Sequence, residues 1–494
     1  MRLPASLSKS LEINAAAKKV GTTPLARMPH LISDRSLEHS STDLANHTRA
    51  RFESSYNPAS ETIFMPKKGY GPRPVIVMAP DSRTLYQALV DRMAPKLPVP
   101  SRSSPWNDHV TFGLGAESEM TRIVDFDIAA CYEYIDHRLL GEELLIQTLD
   151  IETVESLLEL LLDFFPRGVG LPQASASSDL LADAYLERLE RSLIRSDYTV
   201  HRFADDFRIV APDWSRAHES IEKAVSLART SGLVLADGKT HIRSVEQVQA
   251  AIDERESVLA RYRAEADDDL RTFDFEQVDY DDFERIEVPA DPAEVNFVAH
   301  LKIVEDWVTK DRELHTIHAR FGSIALKVLQ NAPARVSDDW LLKIVERDPI
   351  RLPDIINYLV ARPEVGENWS TLSRLTSMPR ESPWARLWIA AVADQLPNEK
   401  CEGQTEVKRW ATELLNDQHE TVRAEAAWFL GGTQGVTVKR IAELFVDASD
   451  VTQVGLAAVA GRLDSDPTDS LPNALRKGSN LTRASFDWAA QLEN

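Results

Sequence analysis

Residues 199–211, TVHRFADDFRIVA, contain the pattern that decides the fold of this chain. Two short runs of β-branched and aromatic residues flank an adjacent pair of carboxylates, Asp205 and Asp206. An Asp pair commonly marks only a turn, but these flanking runs predict a β-hairpin with the pair at its tip. A hairpin tip holds both carboxylates rigidly, as a divalent-metal site requires. We therefore expect this stretch to supply ligands to a metal ion.

A second acidic centre lies upstream, in residues 122–137, RIVDFDIAACYEYIDH. Its β-type run ends in Asp127 and leads into a helix. A strand that places Asp127 beside the hairpin would assemble one carboxylate cluster with Asp205 and Asp206. Hard oxygen ligands from separate strands suit two Mg²⁺ ions, which activate a primer hydroxyl and clamp a phosphoryl group in line. The pattern indicates nucleotidyl transfer with Mg²⁺ as cofactor and Mn²⁺ as the alternative.

The order of five sequence blocks is more specific than either acidic centre alone. The blocks are RPVIVMAPDSRTLYQALVDRM (73–93), DIAACYEYIDH (127–137), GLPQASASSDLLADAYLERL (170–189), FADD (203–206) and GLVLADGKTHI (232–242). This succession resembles the finger and palm motifs of reverse transcriptases, especially the bacterial enzymes related to those of group II introns. The resemblance covers residues 62–245 and implies an enzyme, an RNA-directed DNA polymerase or DNA nucleotidyltransferase.

The resemblance implies the metal ligands and one residue for sugar selection. Asp127 and Asp205 would bind both metals, with Asp206 close by and the carbonyl of Ile128 joining them. Tyr132, five positions after Asp127, falls where the family places an aromatic side chain under the incoming sugar. A bulky ring there would clash with a 2′-hydroxyl, which is discrimination by built-in repulsion. The resemblance therefore implies deoxynucleotide substrates.

Basic side chains around the incoming nucleotide are also implied. Arg73 and Arg83 match the finger positions that grip the triphosphate, and planar guanidinium groups suit such bidentate contacts. Lys67 or Lys68 would assist them, although a solvated basic surface is the alternative. Lys239, in DGKT, matches a family lysine that protonates the leaving pyrophosphate. A plain surface lysine is the alternative there.

The stretch GLPQ implies that Gln173 contacts the nascent base pair or the template strand. The family usually has Gly after PQ, and here Ala174 stands in that place. If the position needs a positive φ, Ala adds strain of about 1 kcal/mol, so we expect the template-side loop to be shaped differently. Ser178 and Asp179 are predicted to cap the helix that follows.

The composition is that of a globular protein with locally concentrated positive charge. The 494 residues are 43% apolar and 27% charged, and the net charge of −22 argues against wholesale coating of nucleic acid. Residues 1–100 nevertheless hold 14 Lys or Arg against 8 Asp or Glu. Two cysteines are too few for a disulfide framework or a Cys-based zinc site. Without an apolar run of about 18 residues, we expect a cytoplasmic protein with no membrane partner.

The apolar pattern changes once along the chain. Strand and helix signals alternate to about residue 245, helical periodicity alone follows residue 293, and residues 1–60 predict an irregular lead. Residues 420–432 and 437–448 resemble a HEAT-type helix pair. The expected fold class is an α+β reverse-transcriptase fingers and palm of the right-hand polymerase type, followed by an all-α HEAT-like helical-repeat domain. The expected domains are an N-terminal extension contributing to the fingers (1–60), fingers and palm (61–245), a charged helix and acidic linker (246–292) and an α-helical repeat domain (293–494).

A palm joined to C-terminal helical repeats resembles the abortive-infection (Abi) and unknown-group bacterial reverse transcriptases that defend against phage. That resemblance implies homo-oligomers, priming from a protein hydroxyl and synthesis without a template. The expected partners are dNTPs and nucleic acid, as a DNA product or an RNA template. Two alternatives stay open. The chain is a catalytically vestigial scaffold whose repeats bind a phage or host partner, or it is an RNA polymerase, which predicts a small residue in place of Tyr132.

Overall fold

The computed structural model describes residues 1–67, 71–116, 118–279, 282–288, 290–310, 315–379, 381–463 and 470–492. The strands are β1 Ser60–Pro66, β2 Pro72–Met78, β3 Arg122–Asp127, β4 Thr199–Phe203, β5 Asp206–Ala211, β6 His241–Ser244, β7 Thr272–Asp279 and β8 Asp282–Val288. The helices that precede β6 are α1 Ala5–Ser10, α2 Ile13–Thr22, α3 Ile32–Arg35, α4 Ser41–Glu53, α5 Pro80–Met93, α6 Trp106–Thr111, α7 Cys131–Tyr134, α8 His137–Thr148, α9 Ile151–Phe164, α10 Ala176–Arg195 and α11 Trp214–Thr230.

The remaining helices are α12 Val245–Leu270, α13 Pro292–Thr309, α14 His315–Leu329, α15 Asp338–Arg347, α16 Leu352–Ala361, α17 Val365–Thr376, α18 Pro383–Gln395, α19 Glu402–Leu414, α20 Glu420–Gly432, α21 Val438–Val446, α22 Gln453–Arg462, α23 Ser470–Lys477 and α24 Asn480–Ala490. Among the described residues, no helix has both the length and the apolar character that a membrane crossing requires. The chain divides into two compact units. Unit 1 comprises Met1–Phe64, Arg73–Gln249 and Ala411–Asn494, and unit 2 comprises Met65–Pro72 and Ala250–Trp410.

A four-stranded antiparallel sheet lies at the centre of unit 1, in the order β4-β5-β3-β6. Apolar side chains alternate toward one face, where Phe126 and Phe207 stack across β3 and β5 with ring centroids 5.0 Å apart. Helices α10 and α11 pack against this sheet. The hairpin predicted from residues 199–211 is therefore present, as strands β4 and β5.

The first sixty residues differ from the irregular lead that the sequence predicts, because they form helices α1 to α4. Their apolar residues are sparse along the chain, so local periodicity is weak. Leu7, Ile13, Leu44 and Phe52 are nevertheless fully buried and join the same core as the sheet. Tertiary burial, which a local pattern does not report, stabilises these helices.

Helices α20 to α24 also belong to unit 1, where α22 packs on α3 and α24 packs on α4. Glu61 of β1 accepts hydrogen bonds from the backbone N–H groups of Glu420 and Thr421, at 2.9 and 3.0 Å. Its carboxylate therefore occupies the positive end of α20, a position favoured by the helix dipole. This division differs from the predicted bounds of 293–494, since α20 and α21, which the sequence predicts to be a HEAT-type pair, lie in the unit that contains the four-stranded sheet.

Unit 2 is mostly helical, in agreement with the helices predicted after residue 293. Its helices pack on second neighbours: α14 on α16, α16 on α18, α13 on α15 and α15 on α17. Trp307, Trp369 and Trp384 are fully buried there, so these rings form part of the core of unit 2. The acidic stretch, interpreted from sequence as a linker, contains the antiparallel strands β7 and β8.

Candidate metal centre and active site

The turn between β4 and β5 carries two of the predicted metal ligands. Phe203 pairs with Asp206 at the end of the hairpin, which leaves Ala204 and Asp205 as the turn residues. Ala204 has a φ of 57°, in the left-handed region, and its N–H donates to Oγ of Ser101 at 2.9 Å. The tight turn presents Asp205 and Asp206 from adjacent positions of a short, defined loop.

A buried arginine, Arg202, holds this turn in place. The Arg202 side chain is 3% exposed and donates to the carbonyl of Ala204 at 3.1 Å and to Glu190 at 2.7 Å. It also contacts the carboxylate of Asp183 on α10. Through these charge-assisted hydrogen bonds the arginine holds the hairpin to α10. Supporting contacts of this kind keep an active-site loop in one geometry.

Asp127 ends β3 directly opposite Asp206 in the strand register. Asp127 is 5% exposed, and the carboxylate oxygens of Asp127, Asp205 and Asp206 that could bind a metal all lie within 4.8 Å of one another. The N–H of Ile128 donates to the carbonyl of Asp205 at 3.2 Å, so the Ile128 backbone adjoins the turn that carries Asp205. The structure thus brings together the three aspartates selected from the sequence, with Ile128 beside them.

Like charges and burial dominate the electrostatics of this cluster. Burial, together with the neighbouring carboxylates of Asp127 and Asp205, raises the pKa of Asp206 to about 7. Burial also raises the pKa of Asp127, although Lys239 opposes the shift. Because the neighbouring carboxylates repel one another when they are ionised, the cluster favours the binding of positive charge. Its three oxygen donors therefore fit one or more divalent cations.

Lys239 supplies one positive charge. Its Nζ lies 2.8 Å from Oδ2 of Asp127, while the lysine side chain remains 64% exposed. Burial alone would lower the pKa of Lys239, but the hydrogen bond to Asp127 and the surrounding carboxylates raise it overall. The exposed stem leaves this ammonium group able to turn from the carboxylate toward a ligand.

Tyr132 follows a left-handed residue, Ala130 with φ 48°, and lies in the short helix α7. It lines a recess that also contains Asp205, Asp179 and Arg102. Tyr132 is predicted from the sequence, whereas Arg102 is not, because no local motif marks it. Asp179 is not the helix cap that the sequence predicts, since α10 begins at Ala176 and the Asp179 carboxylate contacts the Tyr132 hydroxyl.

The GLPQ loop adjoins the same region. The N–H of Leu171 donates to the carbonyl of Tyr132 at 2.8 Å, and Gln173 is 6% exposed. Ala174 has a φ of 66°, so the loop keeps the left-handed backbone that favours glycine and bears the strain of an alanine Cβ. Its carbonyl accepts a hydrogen bond from the N–H of Ala26 at 2.9 Å, which holds the loop on the N-terminal region.

The two predicted finger arginines have different surroundings. Arg73 is exposed on β2. Arg83 is buried, its side chain 6% exposed, and Nη2 lies 2.7 Å from Oδ1 of Asp34 and 2.9 Å from the carbonyl of Val20. This geometry gives Arg83 a structural role in unit 1, and the prediction that it grips a triphosphate finds no support in it. Lys68, predicted as an assistant, lies outside the described residues.

Comparisons with known proteins find a matching family model and similar solved structures. The family model described as "Reverse transcriptase (RNA-dependent DNA polymerase)" matches residues 65–272. No curated protein matches the chain. Among solved structures, the telomerase from Candida albicans, determined in complex with a TWJ fragment of telomeric RNA, is 12% identical with a TM-score of 0.29. The alignment covers 72% of this chain and 66% of that one, just under two thirds of its length.

The family match includes β3, the hairpin of β4 and β5, and Lys239. The matched residues thus cover the two strands and the turn on which the three carboxylates converge. The chain therefore carries a reverse transcriptase domain, which is a nucleic-acid polymerase domain.

Proposed function

We propose that this protein is a DNA polymerase of the reverse transcriptase type that adds deoxynucleotides to a hydroxyl primer with the help of two Mg²⁺ ions. The observation that carries the proposal is the convergence of Asp127, Asp205 and Asp206 within 4.8 Å, inside the matched domain. Two carboxylates from separate strands and one from a turn are the oxygen-rich donor set that hard cations prefer.

Asp127 and Asp205 would hold the ions, with Asp206 and the Ile128 carbonyl beside them. When bound, the ions supply activation of the attacking hydroxyl and neutralise charge on the triphosphate. The hydroxyl oxygen bonds to the α-phosphorus as the bond to the pyrophosphate oxygen breaks. Lys239, already 2.8 Å from Asp127, donates its proton to the departing pyrophosphate in this proposal.

Three further residues position the nucleotide in this proposal. Arg73, exposed on β2, binds the triphosphate, and Gln173 contacts the nascent base pair. Tyr132 lies under the sugar, where its ring excludes a 2′-hydroxyl. Its place in the same recess as Asp205 supports this role and favours a DNA polymerase over an RNA polymerase.

We assign the biological role to bacterial antiphage defence of the abortive-infection type. The support is a resemblance, that of a reverse transcriptase palm joined to HEAT-like helices, and the second-neighbour packing of α13 to α18 is compatible with such repeats. The same resemblance supports a cytoplasmic homo-oligomer, priming from a protein hydroxyl and synthesis without a template. These features are parts of the proposal and not of the domain assignment.

A polymerisation assay tests the core of the proposal. The purified chain, with Mg²⁺ or Mn²⁺, is offered each dNTP with a primed RNA template, with a primed DNA template and with neither. We expect polymer that requires the metal and disappears in Asp205→Ala, while the exposed Glu222→Gln of α11 serves as the matched acidic control. Absence of synthesis from the wild type under all three conditions would refute the assignment.

A phage-protection assay separates the polymerase from the scaffold alternative. Cells that express the chain are challenged with phage, and Asp127→Ala is compared with Glu222→Gln at equal protein level. Loss of protection in Asp127→Ala alone supports catalysis as the effector step. Full protection by Asp127→Ala would instead favour a scaffold whose helices bind a phage or host protein. Sequencing of nucleic acid that copurifies with the chain would then report product, template and covalent attachment together.

A further inference from the structure

The hydroxyl of Tyr132 is held by two charged side chains that the reaction outlined above does not use. It donates a hydrogen bond to Oδ1 of Asp179 and accepts one from Nη2 of Arg102 at 3.1 Å. Arg102 completes the triangle, because its Nη1 lies 2.9 Å from Oδ2 of Asp179. All three side chains line the recess that Asp205 also borders. The tyrosine ring is therefore tethered at its polar end beside the metal centre.

The backbone that carries Arg102 is anchored to the catalytic turn. Ser101, its neighbour in the chain, accepts a hydrogen bond from the N–H of Ala204 at 2.9 Å and donates one to Asp183 at 2.6 Å. The guanidinium is thus positioned from one side by the metal-binding hairpin and from the other by α10, which carries Asp179 and Asp183. Burial and the adjacent Asp179 raise the pKa of Tyr132, so its hydroxyl stays protonated and remains a donor.

We infer that Asp179 and Arg102 are positioning residues that fix the Tyr132 ring in the orientation required to reject ribonucleotides. The inference rests on the proposed function. An aromatic ring excludes a 2′-hydroxyl only if it cannot move aside, and a free tyrosine reorients about two side-chain torsions. Charge-assisted hydrogen bonds to the hydroxyl at the far end of the ring remove that freedom. The Tyr132 ring is then fixed in the position that blocks a 2′-hydroxyl.

The exposure of the ion pair makes the inference testable in folded variants. The side chains of Arg102 and Asp179 are 37% and 38% exposed, and an ion pair in that environment contributes little to the stability of the fold. Substitutions here are therefore expected to leave the melting temperature nearly unchanged. Tyr132→Phe provides a second route, because it removes the tethered hydroxyl and keeps the ring.

The experiment measures kcat/KM for one dNTP and for the matching rNTP, and the selectivity is their ratio. Asp179→Ala, Arg102→Ala and Tyr132→Phe are each expected to lower selectivity about tenfold, the order of one charge-assisted hydrogen bond. The Asp179 and Arg102 variants do so by raising ribonucleotide use, with kcat for the dNTP within a few-fold of wild type. Asp179→Asn keeps an acceptor for the hydroxyl and should retain most of the selectivity. Arg138→Ala, which removes a surface ion pair with Glu142 on α8, is the matched control.

A double-variant comparison identifies the route of the effect. In the Tyr132→Phe background, Asp179→Ala should cause no further loss of selectivity, because both changes break the same tether. Unchanged selectivity in Asp179→Ala and Arg102→Ala, alongside relaxed selectivity in Tyr132→Ala, overturns the inference and leaves the polymerase intact. An equal rise in KM for both nucleotides in Arg102→Ala also overturns it, since that result makes Arg102 a phosphate ligand. Failure of the wild type to polymerise either nucleotide refutes the proposed function itself, and this inference with it.

Discussion

The Nζ atom of Lys239 lies 2.8 Å from Oδ2 of Asp127, so an ammonium group already contacts a carboxylate that would bind metal. A cation approaching Asp127 competes with this lysine, and the same lysine then becomes available to a phosphate oxygen. One side chain thus connects metal binding at Asp127 with the proposed proton donation.

Lys239→Met should separate these two roles. We expect Mn²⁺ to bind more tightly, because the competing ammonium is gone, and the rate of single-nucleotide incorporation to fall by about 10² because the proton donor is lost. The alkaline limb of the pH–rate profile should disappear with it. Binding is measured by calorimetry, and Lys239→Arg, which keeps the charge but is a poor acid, serves as the comparison. A wild-type rate in Lys239→Met would exclude proton donation by this residue.

Asp206→Asn should change the pH dependence of stability in the absence of metal. Since the folded pKa of Asp206 is raised to about 7 from 3.8, the folded state keeps a proton that the unfolded chain releases. This contribution is fully present below about pH 4 and is lost as the pH rises to 7, so the metal-free wild type loses stability over that interval. Allowing for partial solvent screening, the loss is on the order of 2 kcal/mol.

Thermal unfolding between pH 5 and 8 in the presence of a chelator measures this effect. The Asp206→Asn variant is expected to melt above the wild type at pH 8 and to show a flatter pH profile, with Glu222→Gln as the control. Identical profiles for wild type and Asp206→Asn would show that the crowded carboxylates do not strain the fold.

Substitutions of the two arginines predicted for the fingers should affect different properties, stability for Arg83 and substrate binding for Arg73. Arg83→Met leaves Asp34 buried without its partner and is expected to cost about 3 to 5 kcal/mol of unfolding free energy. Arg73→Ala, on the exposed surface of β2, should change stability by less than about 0.5 kcal/mol while raising the KM for dNTP. Denaturant titrations and steady-state kinetics of both variants check this. A stable Arg83→Met with a raised KM would restore Arg83 to the nucleotide site.

Glu61→Gln should loosen the C-terminal helices of unit 1. The substitution removes the charge that caps α20 and weakens hydrogen bonds to Glu420 and Thr421, at an expected cost of about 1 to 2 kcal/mol. Limited proteolysis should then cleave within residues 411–494 faster than in the wild type. Equal cleavage rates, with Glu222→Gln as the reference, would contradict the capping role.

Ala174→Gly should stabilise the GLPQ loop. At a φ of 66° glycine avoids the clash that an alanine Cβ makes, and we expect a gain of up to about 1 kcal/mol in unfolding free energy. Ala50→Gly, on an exposed face of α4, should cost about 1 kcal/mol and provides the matched control. A loss of stability in Ala174→Gly would show that its backbone relaxes to another conformation.

The palm could be predicted from the sequence because the patterns that indicate its strands are local. The apolar runs around Asp205 and Asp206 have the period of strands, and the run before Asp127 has it too, so the hairpin and its neighbour could be predicted. The order of the five sequence blocks then identified Lys239 and Tyr132 as candidate site residues. Each of these residues has a recognisable position within a short motif.

The remaining features depend on partners that are distant in sequence. Arg83 matches a finger motif, but its buried partner Asp34 lies 49 positions earlier, and a motif does not report that partner. Arg102 contacts Tyr132 and Asp179, which are 30 and 77 positions later. Helices α1 to α4 likewise depend on burial in a shared core, so their sparse apolar residues gave no clear period.

The hydrogen bond from the N–H of Ile32 to Glu425 joins residues 393 positions apart. Such a contact forms only after nearly the whole polypeptide has left the ribosome, and closing so long a loop is slow. A nascent chain that already contains Asp127, Asp205 and Asp206 therefore still exposes the surfaces of α3 and α4 on which α22 and α24 pack. Because exposed apolar surface favours aggregation, a chain cut short after residue 410 is expected to aggregate more readily than the full chain.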